Sequence, residues 1–257
     1  MQRPSLAAFC VLTYCVTWGF QLGFIATGQP LGAPLSLLLL TLAAVAPSLV
    51  AVAISWHSGG RAAAAALWGP PGWSRCGWSL AALALRPTTI AIAAGLGMLL
   101  GGPAPSAGFS LFALGSALVA SFGEELGWRG FAYSRLVDRW ERTSPALGVV
   151  WANLSLGLLW ALWHLPTAFF PGAGGIDGTF ARYVALVVGM SVLIGWVFER
   201  SGRRTMIAVI AHMGINLSLL RLPAGALTAT CELLVVLGLA ALAGADLVRI
   251  RRASAHR

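Results

Sequence analysis

Two adjacent carboxylates, Glu124 and Glu125, and the arginine Arg129 stand inside a run that is otherwise apolar from Leu111 to Tyr133. At bilayer depth an ionised side chain costs roughly 2.5–3.5 kcal/mol even on lenient insertion scales, so charges kept there mark a functional site. Two imidazoles answer them from separate apolar segments, His164 in Leu162-Trp163-His164-Leu165-Pro166 and His212 in Ala211-His212-Met213-Gly214-Ile215-Asn216. One carboxylate and two imidazoles can activate water as a general base, ligate a metal ion, or donate hydrogen bonds to a developing oxyanion. The three segments are expected to build one site.

On a helix, residues four apart share a face and adjacent ones diverge by about 100°. Glu125 and Arg129 are then expected to form a structural ion pair, costly to break on one side only. Glu124 points elsewhere, with Trp128 on its face and no cation, which suits a general base. His212 and Asn216 repeat the spacing and direct an imidazole and an amide into one cavity, either as oxyanion donors or with His212 as a metal ligand. Trp160 and His164 repeat it again, and Trp128 and Trp160 are expected to line the pocket as packing aromatics.

These side chains need membrane helices to hold them. Of the 257 residues 58% are hydrophobic and 10% charged, against about 25% charged in soluble domains. Eight runs approach the roughly 20 apolar residues that a spanning helix needs: 5–27, 35–56, 88–101, 109–134, 146–170, 181–199, 205–221 and 226–247. The third is the weakest, since Arg86-Pro87 separates it from the apolar stretch 78–85 and leaves either a short span or a kinked longer one. Arg3 and the first run imitate a signal peptide, but the run is long and others follow, so a retained helix is expected. The expected fold class is all-α, a polytopic bundle of about eight transmembrane helices in one domain over 1–257.

A net charge of +9 would suggest nucleic acid in a soluble chain, but all 17 basic residues are Arg and most lie in short linkers. They read as topology signals, with no nucleic-acid partner expected. Arg3 precedes the first run. Arg61 and Arg75 follow the second, Arg135, Arg139 and Arg142 the fourth, Arg200, Arg203 and Arg204 the sixth, and Arg249, Arg251, Arg252 and Arg257 the last. Linkers 28–34, 102–108, 166–180 and 222–225 hold no basic residue. This alternation predicts eight spans with both termini cytoplasmic, and the Ala- and Gly-rich, Lys-free composition suggests a bacterial cytoplasmic membrane. From Arg135 inward, Glu124 lies about 11 residues or roughly 16 Å deep. His164, about 19 residues past Pro145, fits that register poorly unless its helix begins in the cytosol or tilts. The four cysteines show no ligand spacing. Glu232, near the outer end of the last run, is expected to snorkel outward and has no assigned role, and His57 and His256 are expected in a linker and the tail.

Taken in order, Glu124-Glu125-x-x-x-Arg129, Trp160-x-x-x-His164 and His212-x-x-x-Asn216 resemble the motif set of the CPBP family, the CAAX prenyl endopeptidase and bacteriocin-processing intramembrane proteases. The flanking Leu126-Gly127-Trp128, Leu162-Trp163-His164-Leu165-Pro166 and Gly195-Trp196-Val197-Phe198-Glu199-Arg200 are similar too. The resemblance covers about 110–220, and it departs from the family where the second motif usually begins with Phe. Trp160 is larger and would narrow the pocket. The resemblance implies a membrane endopeptidase in which Glu124 activates water, His164 helps to hold it, and His212 with Asn216 stabilises the tetrahedral oxyanion.

Glu124, His164 and His212 also suffice for a His₂Glu site holding one divalent metal such as zinc, and equally for metal-free glutamate catalysis. Implied partners are a peptide or membrane-protein substrate and the lipid bilayer. Since family members also serve bacteriocin self-immunity and peptide maturation, a prenylated substrate does not follow. Two rival readings are a non-catalytic immunity or scaffold protein that binds a peptide partner, and a small transporter with a Glu/His proton relay. Against the transporter, no inverted repeat or paired broken helices are evident.

Overall fold

The computed structural model describes residues 5–70, 76–107, 111–168, 179–217, 220–221 and 225–255. Expectations for Arg3, Arg75, Arg257, His256 and the linker stretches 169–178 and 222–224 lie outside the described residues. The chain folds as an all-α membrane bundle: α1 (Leu6–Thr27), α2 (Pro34–Ala65), α3 (Cys76–Leu99), α4 (Leu111–Glu125), α5 (Ser134–Glu141), α6 (Gly148–Trp163), α7 (Leu165–Ala168), α8 (Phe180–Arg200), α9 (Thr205–Asn216) and α10 (Ala226–Ala255). A π-helical segment, Leu126–Tyr133, joins α4 to α5 without a break in the helical path. Among the described residues the one strand pairing is antiparallel and two residues long, Ser106 and Ala107 against Arg221 and Leu220.

Among the described residues five helices are long and apolar enough to cross a membrane: Leu6–Thr27, Pro34–Trp68, Gly77–Leu99, Phe180–Arg200 and Ala226–Ala253. The expected fifth and seventh spans are shorter apolar helices, Gly148–Trp163 and Thr205–Asn216. The physical reason is shielding. α9 buries Thr205, Ile207, Ala208, Val209, Ala211, His212 and Gly214 among its neighbours, so its ends need not reach both faces of the bilayer. The third span resolves as the longer helix, running through Pro87 from Cys76 to Leu99. Pro87 has no N–H for the carbonyl of Leu83, and Gly214 of α9 packs on that carbonyl so closely that a β-carbon would come within 2.6 Å of the oxygen. His57 lies within α2, which outruns its expected limit and changes direction at Gly59 and Gly60 (φ 63°).

Most of the arginine-bearing connections gather at one end of the bundle. Thr205 Oγ1 donates to the Leu67 carbonyl (2.6 Å), Arg251 pairs with Glu141 (3.0 Å) and Arg200 with Asp246 (3.6 Å). Towards the opposite end, Glu232 is buried and does not reach outward. Its carboxylate pairs with Arg86 of α3 and, at 3.3 Å, with Arg182 of α8. Sequence alone could not give Glu232 these partners, because they come from two helices distant in the chain.

The core wraps the π segment. Within it Trp128, Phe131, Ala132 and Tyr133 are fully buried, with Phe9 of α1 stacked on Phe131 (ring centroids 4.9 Å) and edge-on to Trp128 (5.6 Å). Behind it, Gly127 lies on α2, where an added β-carbon would stand 2.6 Å from the backbone carbon and oxygen of Pro47. Ser48 of the same turn donates to the Phe122 carbonyl (2.9 Å). This contact holds the site's carboxylates at a fixed distance from α2. Gly127→Ala should therefore lower stability by about 1–3 kcal/mol through overpacking, read as a lower thermal midpoint in detergent; an unchanged midpoint would show that the two helices separate freely.

Candidate active site

The ionisable groups expected from sequence gather round one indole. Trp160 Nε1 donates to Glu124 Oε2 at 2.7 Å. The ring of His212 meets the indole edge-on at 5.1 Å between centroids, the Arg129 guanidinium lies 5.1 Å from the ring centroid, and His164 stands 6.0 Å away. Glu124, Trp160 and His212 are buried, at 4%, 5% and 3% exposure. Four segments supply these groups: the last turn of α4, the π segment, the end of α6 and the middle of α9.

Glu125 holds two partners on one oxygen. Its Oε1 accepts from Arg129 at 3.0 Å and from His212 Nδ1 at 2.8 Å, with Glu125 fully buried. A carboxylate is an acceptor, so this contact makes His212 Nδ1 a donor and leaves Nε2 to face elsewhere. When neutral, that Nε2 accepts; as an imidazolium, with Glu125 and Arg129 beneath it, it donates. Glu125 thus aims His212 as well as pairing with Arg129.

His164 closes α6. The helix ends there, with Pro166 two residues on, and the carbonyls freed by the break find side chains. His164 Nδ1 donates to Trp160 O (2.9 Å), Trp18 Nε1 to Trp163 O (3.0 Å), and Thr167 Oγ1 to His164 O (2.8 Å). The backbone bond fixes Nδ1 as the donor and leaves His164 Nε2 as an acceptor. Its ring also contacts Trp163 (4.6 Å) and Tyr183 (5.8 Å). His164 is thus placed by a helix end and not by its count from Pro145.

Two expected residues stand apart. Asn216 is exposed at the last position of α9, a turn beyond His212. Trp128 lies in the π segment, and its ring packs on Phe9 and on Trp163 (6.1 Å), which in turn contacts His164. Among the described residues no three His, Cys, Asp or Glu side chains gather with the spacing of a metal site. No step below is routed through an ion.

Behind the site runs a polar chain that sequence reasoning passed over. Arg129 reaches Ser191 Oγ (3.3 Å), which donates to Asn153 O (3.1 Å). Asn153 Nδ2 donates to Tyr133 Oη (3.2 Å), and Tyr133 donates to Glu199 (2.9 Å), which also takes Arg203 Nε (2.9 Å). The signal was available in part: Asn153 and Ser191 are polar residues inside apolar runs, where interhelical hydrogen bonding is the usual reason.

Residues 106–218 match the family model of the type II CAAX prenyl endopeptidase Rce1-like proteins. That stretch, under half of the chain, is similar to the Rce1-like family. The curated "CAAX prenyl protease 2" of Methanococcus maripaludis is 28% identical over 107 residues, 39% of this chain and 37% of that protein. This chain thus matches little more than a third of the curated relative's length. The Rce1-like stretch runs from the first strand past α9 and contains every residue round the Trp160 indole, whereas α1–α3 and α10 lie outside it.

Within the Rce1-like stretch the buried pair sets the electrostatics. Arg129→Met would leave the Glu125 carboxylate buried without its guanidinium and should cost about 3–5 kcal/mol. Arg129→Lys should recover only part, because a single ammonium does not reproduce the fork that spans Glu125 and Ser191. Thermal unfolding in nanodiscs compares the three proteins; equal midpoints would mean that the pair contributes nothing.

Proposed function

We propose that this chain is an intramembrane endopeptidase that hydrolyses a peptide bond of a membrane-associated protein or peptide. The observation that carries the reading is the placement of buried Glu124 and His212 against one indole, with His212 aimed by Glu125. Glu124, hydrogen-bonded through Oε2, has its other oxygen without a donor among the described residues, as a general base requires. His164 Nε2, an acceptor, is suited to hold the same water. His212, as an imidazolium over Glu125, donates from Nε2 to the oxyanion of the tetrahedral intermediate, and the amide of Asn216, one turn further along α9, is the proposed second donor.

Geometry within the Rce1-like stretch supports these roles by the tautomers it imposes. Both imidazoles have Nδ1 committed to a protein acceptor, so both present Nε2. Glu125 and Arg129 touch neither water nor substrate in this scheme; they are positioning residues. The arginine-bearing connections collected at one end of the bundle support an orientation in a bacterial cytoplasmic membrane with both termini in the cytoplasm.

Purified protein in nanodiscs, assayed on a fluorogenic peptide library, tests the assignment. Glu124→Gln and His212→Ala should each reduce kcat at least about 100-fold while helicity by circular dichroism is kept; a variant with wild-type turnover removes its residue from the mechanism. Activity that survives chelation in protein shown to be metal-free supports the glutamate route. Loss on chelation, restored by zinc, would instead require Glu124 and the two imidazoles to rearrange round an ion.

A further inference from the structure

The second motif of this chain begins with Trp160, and its indole does something that a phenyl ring cannot. An indole N–H is a donor with no acceptor capacity. At 2.7 Å from Glu124 Oε2, it occupies a lone pair of that oxygen, and because a carboxylate or carbonyl oxygen accepts better than a hydroxyl one, it favours placing a proton on Oε1. The indole is itself held: α6 carries it in the last turn before the helix ends, Arg129 lies 5.1 Å from its centroid and His212 meets its edge. Among the described residues Glu124 has no other hydrogen-bond donor.

We propose that Trp160 is a positioning residue that divides the labour between the two oxygens of Glu124. Oε2 is occupied by the indole, and Oε1 is the oxygen that takes the proton. This rests on the peptidase reading given above. In the first step Glu124 Oε1 takes a proton from water, the water oxygen bonds to the scissile carbonyl carbon, and the carbonyl π pair moves to its oxygen. In the second, that pair re-forms the carbonyl, the C–N bond breaks, and the proton passes from Oε1 to the departing nitrogen. One water is consumed, an acid and an amine are released, and Glu124 is again a carboxylate. Through both steps the indole keeps the carboxylate from rotating, so the base returns to the same orientation each turnover.

A purely structural Trp160 would make a different prediction, and two variants separate the cases. Trp160→Phe keeps an aromatic ring and removes the N–H. Replacing Trp160 by 3-benzothienylalanine keeps the bicyclic shape and puts sulfur where the N–H was, so packing against Arg129 and His212 is retained. For both, kcat on a cleaved peptide should fall about 10- to 100-fold with KM changed less than about twofold, the loss expected for one hydrogen bond to a charged group. Thermal midpoints should stay near wild type for the benzothienyl protein. A benzothienyl protein with wild-type kcat overturns the proposal, and so does one whose whole loss appears in KM.

A second readout does not depend on turnover. In ¹⁵N-tryptophan protein, the indole N–H resonance of Trp160, assigned by its disappearance in Trp160→Phe, should move upfield in Glu124→Gln as a charge-assisted bond becomes a neutral one. A resonance that ignores Glu124→Gln overturns the contact even if the protein cleaves peptides. A resonance that responds in a protein that cleaves no peptide sinks the peptidase reading, and with it the division of labour, while the contact itself stands.

Discussion

Everything round the site depends on keeping one negative charge dry. Glu125 is fully buried, and a carboxylate there survives only with compensation from close donors. Arg129 and His212 both meet its Oε1, and they arrive from different directions, one from the π segment and one from α9. The pair therefore ties a helix contiguous with Glu125 to a helix that enters the chain much later. The other terminal nitrogen of the guanidinium draws in Ser191 of α8, and Ser191 draws in the backbone of α6 at Asn153. One buried charge thus links α4, the π segment, α6, α8 and α9.

A second constraint is that the site's side chains come from places where regular α geometry stops. Glu124 and Glu125 are the last residues before the π segment, His164 caps α6, and Asn216 ends α9. A π turn rotates everything after it relative to an α-helix, and such turns recur at functional positions. Within it Trp128 packs on Phe9 and Trp163 while Arg129 pairs with Glu125. At α6 the break frees carbonyls that side chains then satisfy, and His164 is one of the side chains recruited. Local irregularity and chemical placement are the same structural event at both sites.

The elements outside the Rce1-like stretch serve it by contact. α1 gives Phe9 to the π segment and Tyr14 and Trp18 to the carbonyls at the end of α6. α2 sets the depth of the carboxylates through Pro47 and Ser48. α3 and α10 carry Arg86 and Glu232, which with Arg182 lock these helices to the start of α8. None of these residues carries a motif, yet each limits where a motif residue can stand.

Much of this protein was legible from residue types and spacing. Charges are too costly in an apolar run to be kept without reason, so Glu124, Glu125, Arg129, His164 and His212 declared themselves, and their order resembled a family whose model the stretch 106–218 matches. The pairing of Glu125 with Arg129 followed from helical spacing alone. Tertiary structure decided what no spacing along one helix contains. It placed His212 on Glu125, Trp160 on Glu124 and Arg86 with Arg182 on Glu232, packed Trp128 on Phe9 and Trp163, and set His164 by a helix end. Each is a contact between chain segments far apart in sequence, or a local departure from α geometry maintained by such contacts. Their energies come from burial, and burial is a property of the assembled bundle that no single helix possesses.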